Sequence, residues 1–405
     1  MSRSLLPIDE ARALVIQVAG SRRATEIVPV SAALDRVLAA DVTAVGNVPR
    51  FPSSAMDGYA VRDLAAGVVL PVVGESRAGE PYPAELQPGQ AVRISTGAMV
   101  PDAAAAVVRQ EDATAQDRRV EIHVASEPGQ NLRMPGEDMH TGQLVLSAGT
   151  RLRAPQLGAA VAAGAGELIV ATQPQVSVLC TGDELRPPGA PLGPGQIHNS
   201  NAVVLQALVT HCGGLLTDAS RAVGLLADDL EATEQALDRA LSESDVVLVS
   251  GGVSVGPHDH VKPALSRLGV TEHFWGVALQ PGKPTWFGSR GEKLVFALPG
   301  NPVSAAVTFS LFARPALDAL LGAQPEQPPL PEARLGREVR RNPERDQALR
   351  VRFEMRDGVP VVLPAGAQGS HVFTTLLSAD CLAIVPRGRG MLEAGRPVKL
   401  ELLPG

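Results

Sequence analysis

Aromatic side chains are nearly missing from this 405-residue sequence: two Trp, two Tyr and eight Phe make up 3% of it. Platforms on which nucleic-acid bases stack are therefore scarce, and the cores must be built from Ala, Val and Leu. An excess of positive charge is missing as well. Lys and Arg number 36 against 43 Asp and Glu, a formal net charge of −7. Such a surface repels a phosphate backbone unless charge is locally segregated, so nucleic acid is not expected as the main partner. Cysteine is limited to Cys180, Cys212 and Cys381, far apart and without metal-type pairing. No disulfide framework is expected, and the thiols suit a reducing, cytoplasmic setting. Long apolar runs are lacking too. The most apolar stretch, Leu157 to Ala171, is interrupted by Gly164, Gly166 and Glu167, and no segment is expected to span a bilayer. Residues 1–20 carry Arg3, Asp9, Glu10 and Arg12 among apolar positions, the pattern of an amphipathic helix and not of a signal sequence.

What is abundant is turn chemistry. Forty Gly and 34 Pro accompany a 45% hydrophobic content, which argues for many short elements and against disorder. At roughly 100–200 residues per domain the chain holds two to four domains. Pro7 to Ala19 and Ser31 to Leu38 read as helices, the second leading into a strand over Asp41 to Val45. Residues 46–140 alternate short apolar runs with Gly and Pro turns, a β-rich insert. Residues 141–173 add a helix over Pro155 to Ala163 and a strand over Glu167 to Val170, and are expected to join residues 1–45 in one elongated α+β linker or dimerisation domain.

Residues 174–325 then alternate strand and helix. Strands are expected over Val176 to Cys180, Leu215 to Ala222, Val246 to Ser250 and Leu294 to Leu298, with extended segments over Glu272 to Leu279 and Pro284 to Phe287. Helices are expected over Ala202 to Cys212, Asp229 to Leu241, Val261 to Leu268 and Pro302 to Leu321. This predicts an α/β domain with a doubly wound, mostly parallel sheet and right-handed crossovers. Past the proline-rich linker Gln324 to Pro331, residues 326–405 read as a small C-terminal β-barrel or sandwich.

In an open parallel sheet, ligands gather at the carboxyl ends of the strands, where loops precede helix N-termini with unpaired N–H groups. Three loops there are unusual. Cys180-Thr181-Gly182-Asp183-Glu184-Leu185 closes a strand with a hydroxyl, a glycine and two carboxylates. Ser250-Gly251-Gly252-Val253-Ser254-Val255-Gly256 offers backbone amides to an anionic group. Leu298-Pro299-Gly300-Asn301-Pro302-Val303-Ser304 starts a helix with Asn301 placed to cap it. Each loop alone reads as an ordinary turn. Together with Asp259 and with Lys283 in Pro281-Gly282-Lys283-Pro284 they predict one pocket for a phosphorylated substrate and a divalent cation. Neither a P-loop nor a GxGxxG spacing is present. His258-Asp259-His260 invites zinc, but neighbours on one loop seldom converge on one ion and no further Cys or His is suitably spaced.

These motifs, with Ser54-Ala55-Met56-Asp57-Gly58-Tyr59-Ala60, Ser95-Thr96-Gly97-Ala98, Gly136-Glu137-Asp138 and Gln368-Gly369-Ser370-His371, closely resemble those of the molybdopterin molybdenumtransferase family, which includes MoeA and the gephyrin E domain. The resemblance runs along essentially the whole chain. It implies a homodimeric enzyme that inserts molybdate into adenylylated molybdopterin with Mg²⁺-dependent release of AMP, with a MogA-like doubly wound domain and the molybdopterin adenylyltransferase as a transient partner. Carried over residue by residue, it places Asp57, Thr96 and Asp138 on the β-rich side. It places Glu184, Asp228 and Asp259 in the sheet-edge pocket as catalytic and metal-holding acids, with Lys283 as the catalytic cation. Thr181, Gly182, Ser250, Gly251, Gly252, Ser254, Pro299, Gly300, Asn301, Ser304, Arg350 and Ser370 become the substrate and anion contacts. The chain departs from the family at Gly276 and Gln280, where members often carry lysine, so the pocket is less positive. Two other classes remain in view: a receptor-anchoring scaffold like the gephyrin domain, and the preceding adenylyltransferase, which would consume ATP.

Overall fold

The computed structural model describes residues 5–20, 24–221, 225–226, 229–253, 259–325 and 331–403. They fall into two compact units. One comprises Met1–Glu26, Asp35–Ala39 and Val170–Gly405; the other comprises Ile27–Leu34 and Ala40–Ile169.

The larger unit is built on a mixed sheet. Its edge strand Leu215–Leu216 is followed in order by β1 (Gln175–Thr181), β2 (Val246–Ser250), β3 (Lys293–Leu298), Trp286–Arg290 and Thr271–Trp275. The first four run parallel, and Trp286–Arg290 runs antiparallel to both of its neighbours. Side chains alternate across a strand with period two, and both faces of this sheet are buried. Val176, Val178, Leu248 and Phe296 pack on one face with Leu205 and Val209 of α1 (Ser200–His211) and Val303 and Val307 of α2 (Pro302–Thr308). Leu179, Val247, Val249 and Val295 pack on the other with the helices Leu230–Glu243 and Val261–Arg267. Burial on both faces is why these strands read as continuous apolar runs. Register then fixes the site: Cys180 pairs with Ser250 and Ser250 with Leu298, so three chain ends leave the sheet level with one another.

The helical run Pro302–Leu321 continues past α2 through a π-helical turn, Phe309–Ala313, into the helix Arg314–Leu321. By length and composition alone it is long and apolar enough to cross a membrane, but 83% of its apolar window is buried inside the fold. It is the core helix of this unit. The strands Asp346–Arg356, Val359–Pro364, Glu332–Leu335, Pro397–Leu402 and Cys381–Val385 close into a barrel, because the last pairs back onto the first. Leu335, Val351, Val362 and Ala383 fill its interior.

The smaller unit carries a six-stranded sheet in the order Ala106–Arg109, Gly58–Val61, Ala91–Ile94, Val69–Ser76, Arg119–Ile122, Ala113–Gln116. Its helix Ala154–Ala162 starts with Pro155 near its N-terminus, where the missing N–H costs nothing.

Two predicted elements are shorter than expected. Over Ser31 to Leu38 the chain makes only a 3₁₀ turn, Val30–Ala32, because Asp35 takes the left-handed conformation (φ 63°) and stops any helix. The strand expected over Leu215 to Ala222 stops at Leu216 and gives way to the helical turn Asp218–Arg221; Ala222 lies outside the described residues. Here hydroxyls take over from the ladder. Val178 N donates to Ser220 Oγ at 2.7 Å, and Ser177 and Thr217 share a 2.8 Å hydrogen bond.

Candidate active site at the sheet edge

The level chain ends of β1, β2 and β3 open onto a cleft of about 760 Å³ in the larger unit. Its walls are Cys180, Thr181, Gly182 and Glu184 at and past the end of β1, Ser250, Gly251 and Gly252 at and past the end of β2, and Pro299, Gly300 and Asn301 after β3. Asp259, Pro284 and His371 complete it, with Asn199, Ser200 and Asn201 at the start of α1. The sequence-predicted Thr181, Gly182, Glu184, Ser250, Gly251, Gly252, Asp259, Pro299, Gly300 and Asn301 are thus brought together. Asp228 and Ser254 lie outside the described residues, as do Val255, Gly256 and His258.

Glycine is required where these loops touch. A Cβ on Gly251, which has φ +96°, would lie 2.7 Å from Thr181 O. One on Gly252, with φ +65°, would lie 2.7 Å from Val261 Cγ2. Bare backbone is what lets the loops pack so closely. Not every amide faces the cleft, however: Gly251 N–H donates to Leu298 O at 3.1 Å, so it is engaged within the sheet. The N–H groups of Gly252 and Gly300 have no acceptor among the described residues. Backbone donors of this kind suit an anion.

Several predicted contacts stand elsewhere. Ser304 is buried on α2 and does not line the cleft. Lys283 is exposed on the turn whose next residue, Pro284, does line it. Arg350, expected among the substrate and anion contacts, is completely buried. Its guanidinium donates to the carbonyls of Ala367, Gln368 and Gly369 and to Thr375 Oγ1, at 3.0–3.2 Å. Burial moves its pKa downward from the usual arginine value. Its neighbour in the pattern, Ser370, accepts from Asn301 Nδ2 at 3.1 Å, so the loop that Arg350 holds reaches the start of α2 and sets His371 in the cleft wall. In the smaller unit, Asp57 Oδ1 accepts from Thr96 N at 2.8 Å; Asp138 is exposed and its N–H donates to Val48 O.

At the two positions that depart from the family, Gln280 accepts from Asn342 Nδ2 at 2.6 Å, while Gly276 has φ +88° and a Cβ there would meet Leu5 Cδ2 at 2.9 Å. A lysine at 276 would be strained in this backbone.

Among the described residues no group of three or more His, Cys, Asp and Glu side chains is placed to hold a metal. Glu184 and Asp259 nevertheless line one cleft. That donor set fits Mg²⁺, which takes one or two carboxylates together with substrate phosphate and water. Cys180 is a poor ligand or nucleophile, since burial pushes its thiol up to about 11, with the nearby Asn199 amide opposing the rise.

Reading the sequence alone missed Asn199 and Asn201, and it placed His371 within a motif without giving it a role. Asn199 was legible: its side chain accepts from Ala202 N as the N-cap of α1, a residue type that marks helix starts.

Three family models cover the chain: "MoeA N-terminal region (domain I and II)" over residues 6–164, "Probable molybdopterin binding domain" over 177–319 and "MoeA C-terminal region (domain IV)" over 332–403. The chain is 36% identical over 402 residues to the molybdopterin molybdenumtransferase of Haemophilus influenzae, covering 98% of each. It is 32% identical over 414 residues to that of Bacillus subtilis, covering 99% of this chain and 95% of the other. A molybdopterin biosynthesis moeA protein of Pyrococcus horikoshii OT3 superposes with a TM-score of 0.79 at 29% identity, covering 98% of this chain and 100% of that one.

Proposed function

The chain belongs to the molybdopterin molybdenumtransferase family, and from that premise we propose that it transfers molybdenum from molybdate to adenylylated molybdopterin and releases AMP. One observation carries the reading: a single cleft gathers the open amides of Gly252 and Gly300 with the carboxylates of Glu184 and Asp259. Amides suit the phosphates, and the carboxylates suit a cation that offsets their charge.

In this reading the pyrophosphate linkage lies over the Gly252 and Gly300 N–H groups, which are fixed before the substrate arrives and so need no reorganisation as charge grows on the leaving phosphate. An oxygen of molybdate or of water attacks one phosphorus, the bond to the bridging oxygen breaks, and that oxygen departs on AMP. Mg²⁺, held by Glu184 and Asp259 with Asp228 as the third acid of the pattern, would supply Lewis-acid neutralisation of the phosphates. Thr181, Gly182, Ser250, Gly251, Pro299 and Asn301 shape the floor. Ser254, Arg350 and Ser370 are assigned to the oxyanion side on the strength of the family resemblance, Arg350 and Ser370 through the loop that ends at His371. Ser304, buried on α2, stands behind the wall. Lys283, exposed beside Pro284, is the cation that draws molybdate in. Asp57, Thr96 and Asp138 are assigned to the same reaction in a cytoplasmic homodimer supplied by a molybdopterin adenylyltransferase, on the strength of the family resemblance. The same resemblance supports four parts: 1–45 with 141–173, 46–140, 174–325 and 326–405.

The test is reconstitution. Purified protein given adenylylated molybdopterin, molybdate and Mg²⁺ without ATP should activate an apo-molybdoenzyme and release AMP. Activity that requires ATP would point instead to the adenylyltransferase reaction, and binding without turnover to a scaffold.

A further inference from the structure

Asn201 sits in the first turn of α1 and lines the cleft. Its Nδ2 donates to Ser250 Oγ at 2.8 Å and to Gly300 O at 2.7 Å. One amide therefore joins the loop after β2 to the loop after β3. Ser250 Oγ in turn donates to Pro299 O at 3.3 Å, so its hydrogen is engaged and it must accept from Asn201. Gly300 O can only accept. Turning the amide over would bring two oxygens within 2.7 Å of each other, so the partners themselves fix which end is nitrogen. The oxygen is fixed with it. Asn201 Oδ1 has no donor among the described residues, and it is not among the buried atoms left without a partner.

We propose that Asn201 is a positioning and specificity residue of the cleft: its two N–H groups set the spacing of the β2 and β3 loops, and its Oδ1 accepts a hydrogen bond from an N–H or O–H group of the substrate. This rests on the function proposed above. The acceptor differs in kind from Glu184 and Asp259, because it carries no charge. It reads a donor without repelling the phosphates, which a carboxylate does unless a cation stands between them. Adenylylated molybdopterin presents such donors at both ends, on the pterin ring and on the nucleoside.

The test compares wild type, Asn201→Ala, Ser250→Ala and the double variant in AMP release, with AMP affinity measured by titration calorimetry and melting temperature recorded for each. Asn201→Ala should raise KM for adenylylated molybdopterin about tenfold, the scale of one lost hydrogen bond, with a smaller fall in kcat. A matching loss of AMP affinity places the donor on the nucleoside; unchanged AMP affinity places it on the pterin. Because Ser250 and Asn201 act as one bracket, the double variant should lose much less than the product of the single losses. If Asn201→Ala leaves KM and kcat within twofold of wild type, or if the two losses multiply independently, the inference is overturned. Should Asn201→Ala melt too early to assay, Ser250→Ala decides: unchanged kcat and KM there would also overturn it. Absence of AMP release by wild type would instead defeat the underlying function.

Discussion

Glu184 folds its carboxylate back over Gly182, so that a methyl group on the glycine would stand 2.6 Å from both carboxylate oxygens. Gly182 also has φ +147°, a backbone region that L side chains rarely adopt. The glycine is thus the seat of the acid. Gly182→Ala should move the carboxylate and raise the Mg²⁺ concentration for half-maximal AMP release by about tenfold or more, as mispositioning a metal-holding group does. An unchanged Mg²⁺ dependence in a folded variant would show that Glu184 does not serve the cation.

Lys283 is exposed next to a cleft residue and belongs to a chain that is acidic overall. Its charge serves attraction of an anion more than packing. Lys283→Ala should raise KM for molybdate about tenfold and leave molybdopterin affinity within about twofold. Equal losses for both ligands would remove this assignment.

Arg350 makes its bonds on the outer face of the barrel, with the loop 367–369 and with Thr375. Replacing it with Met removes the buried donor that holds the partly buried carbonyls of Ala367, Gln368 and Gly369, and losing several hydrogen bonds to a charged group costs about 3 kcal/mol. Urea unfolding should report that loss, and the turnover of folded Arg350→Met should fall because His371 is no longer held in the wall. Wild-type stability would contradict the burial.

The Cys180 thiol, at about 11, loses its proton later in the folded protein than its ordinary value of 9.0 allows in the unfolded chain. Between about pH 9 and 11 the unfolded state therefore binds fewer protons, and stability falls as pH rises through that window. Cys180→Ala should show a shallower decline of melting temperature over this range than wild type. Iodoacetamide should also leave Cys180 unmodified in the native protein at pH 8, because the thiolate is the reactive form.

Much of this site was legible because it follows from strand ends. The apolar runs Val246–Ser250 and Lys293–Leu298 announce buried parallel strands, and the glycines after them mark where backbone approaches backbone. What sequence did not reveal was pairing in space. Nothing in local spacing says that Asn201 reaches both Ser250 and Gly300, residues 49 and 99 positions away. Nor does the pattern around Arg350 show that this outward-facing side chain is buried, because what covers it is a loop 17–19 positions further along the chain. The helix expected at Ser31 failed for a local reason, the positive φ of Asp35, which propensity alone does not report.

Single-turnover release of AMP from adenylylated molybdopterin, with molybdate and Mg²⁺ present, bears on the cleft most directly when wild type is set beside the double variant Glu184→Gln/Asp259→Asn. Both side chains lie on the cleft wall outside the core, so the variant should melt close to wild type while releasing AMP at least about 100-fold more slowly. Release at the wild-type rate by the folded variant would contradict a cleft in which these two carboxylates serve the phosphates.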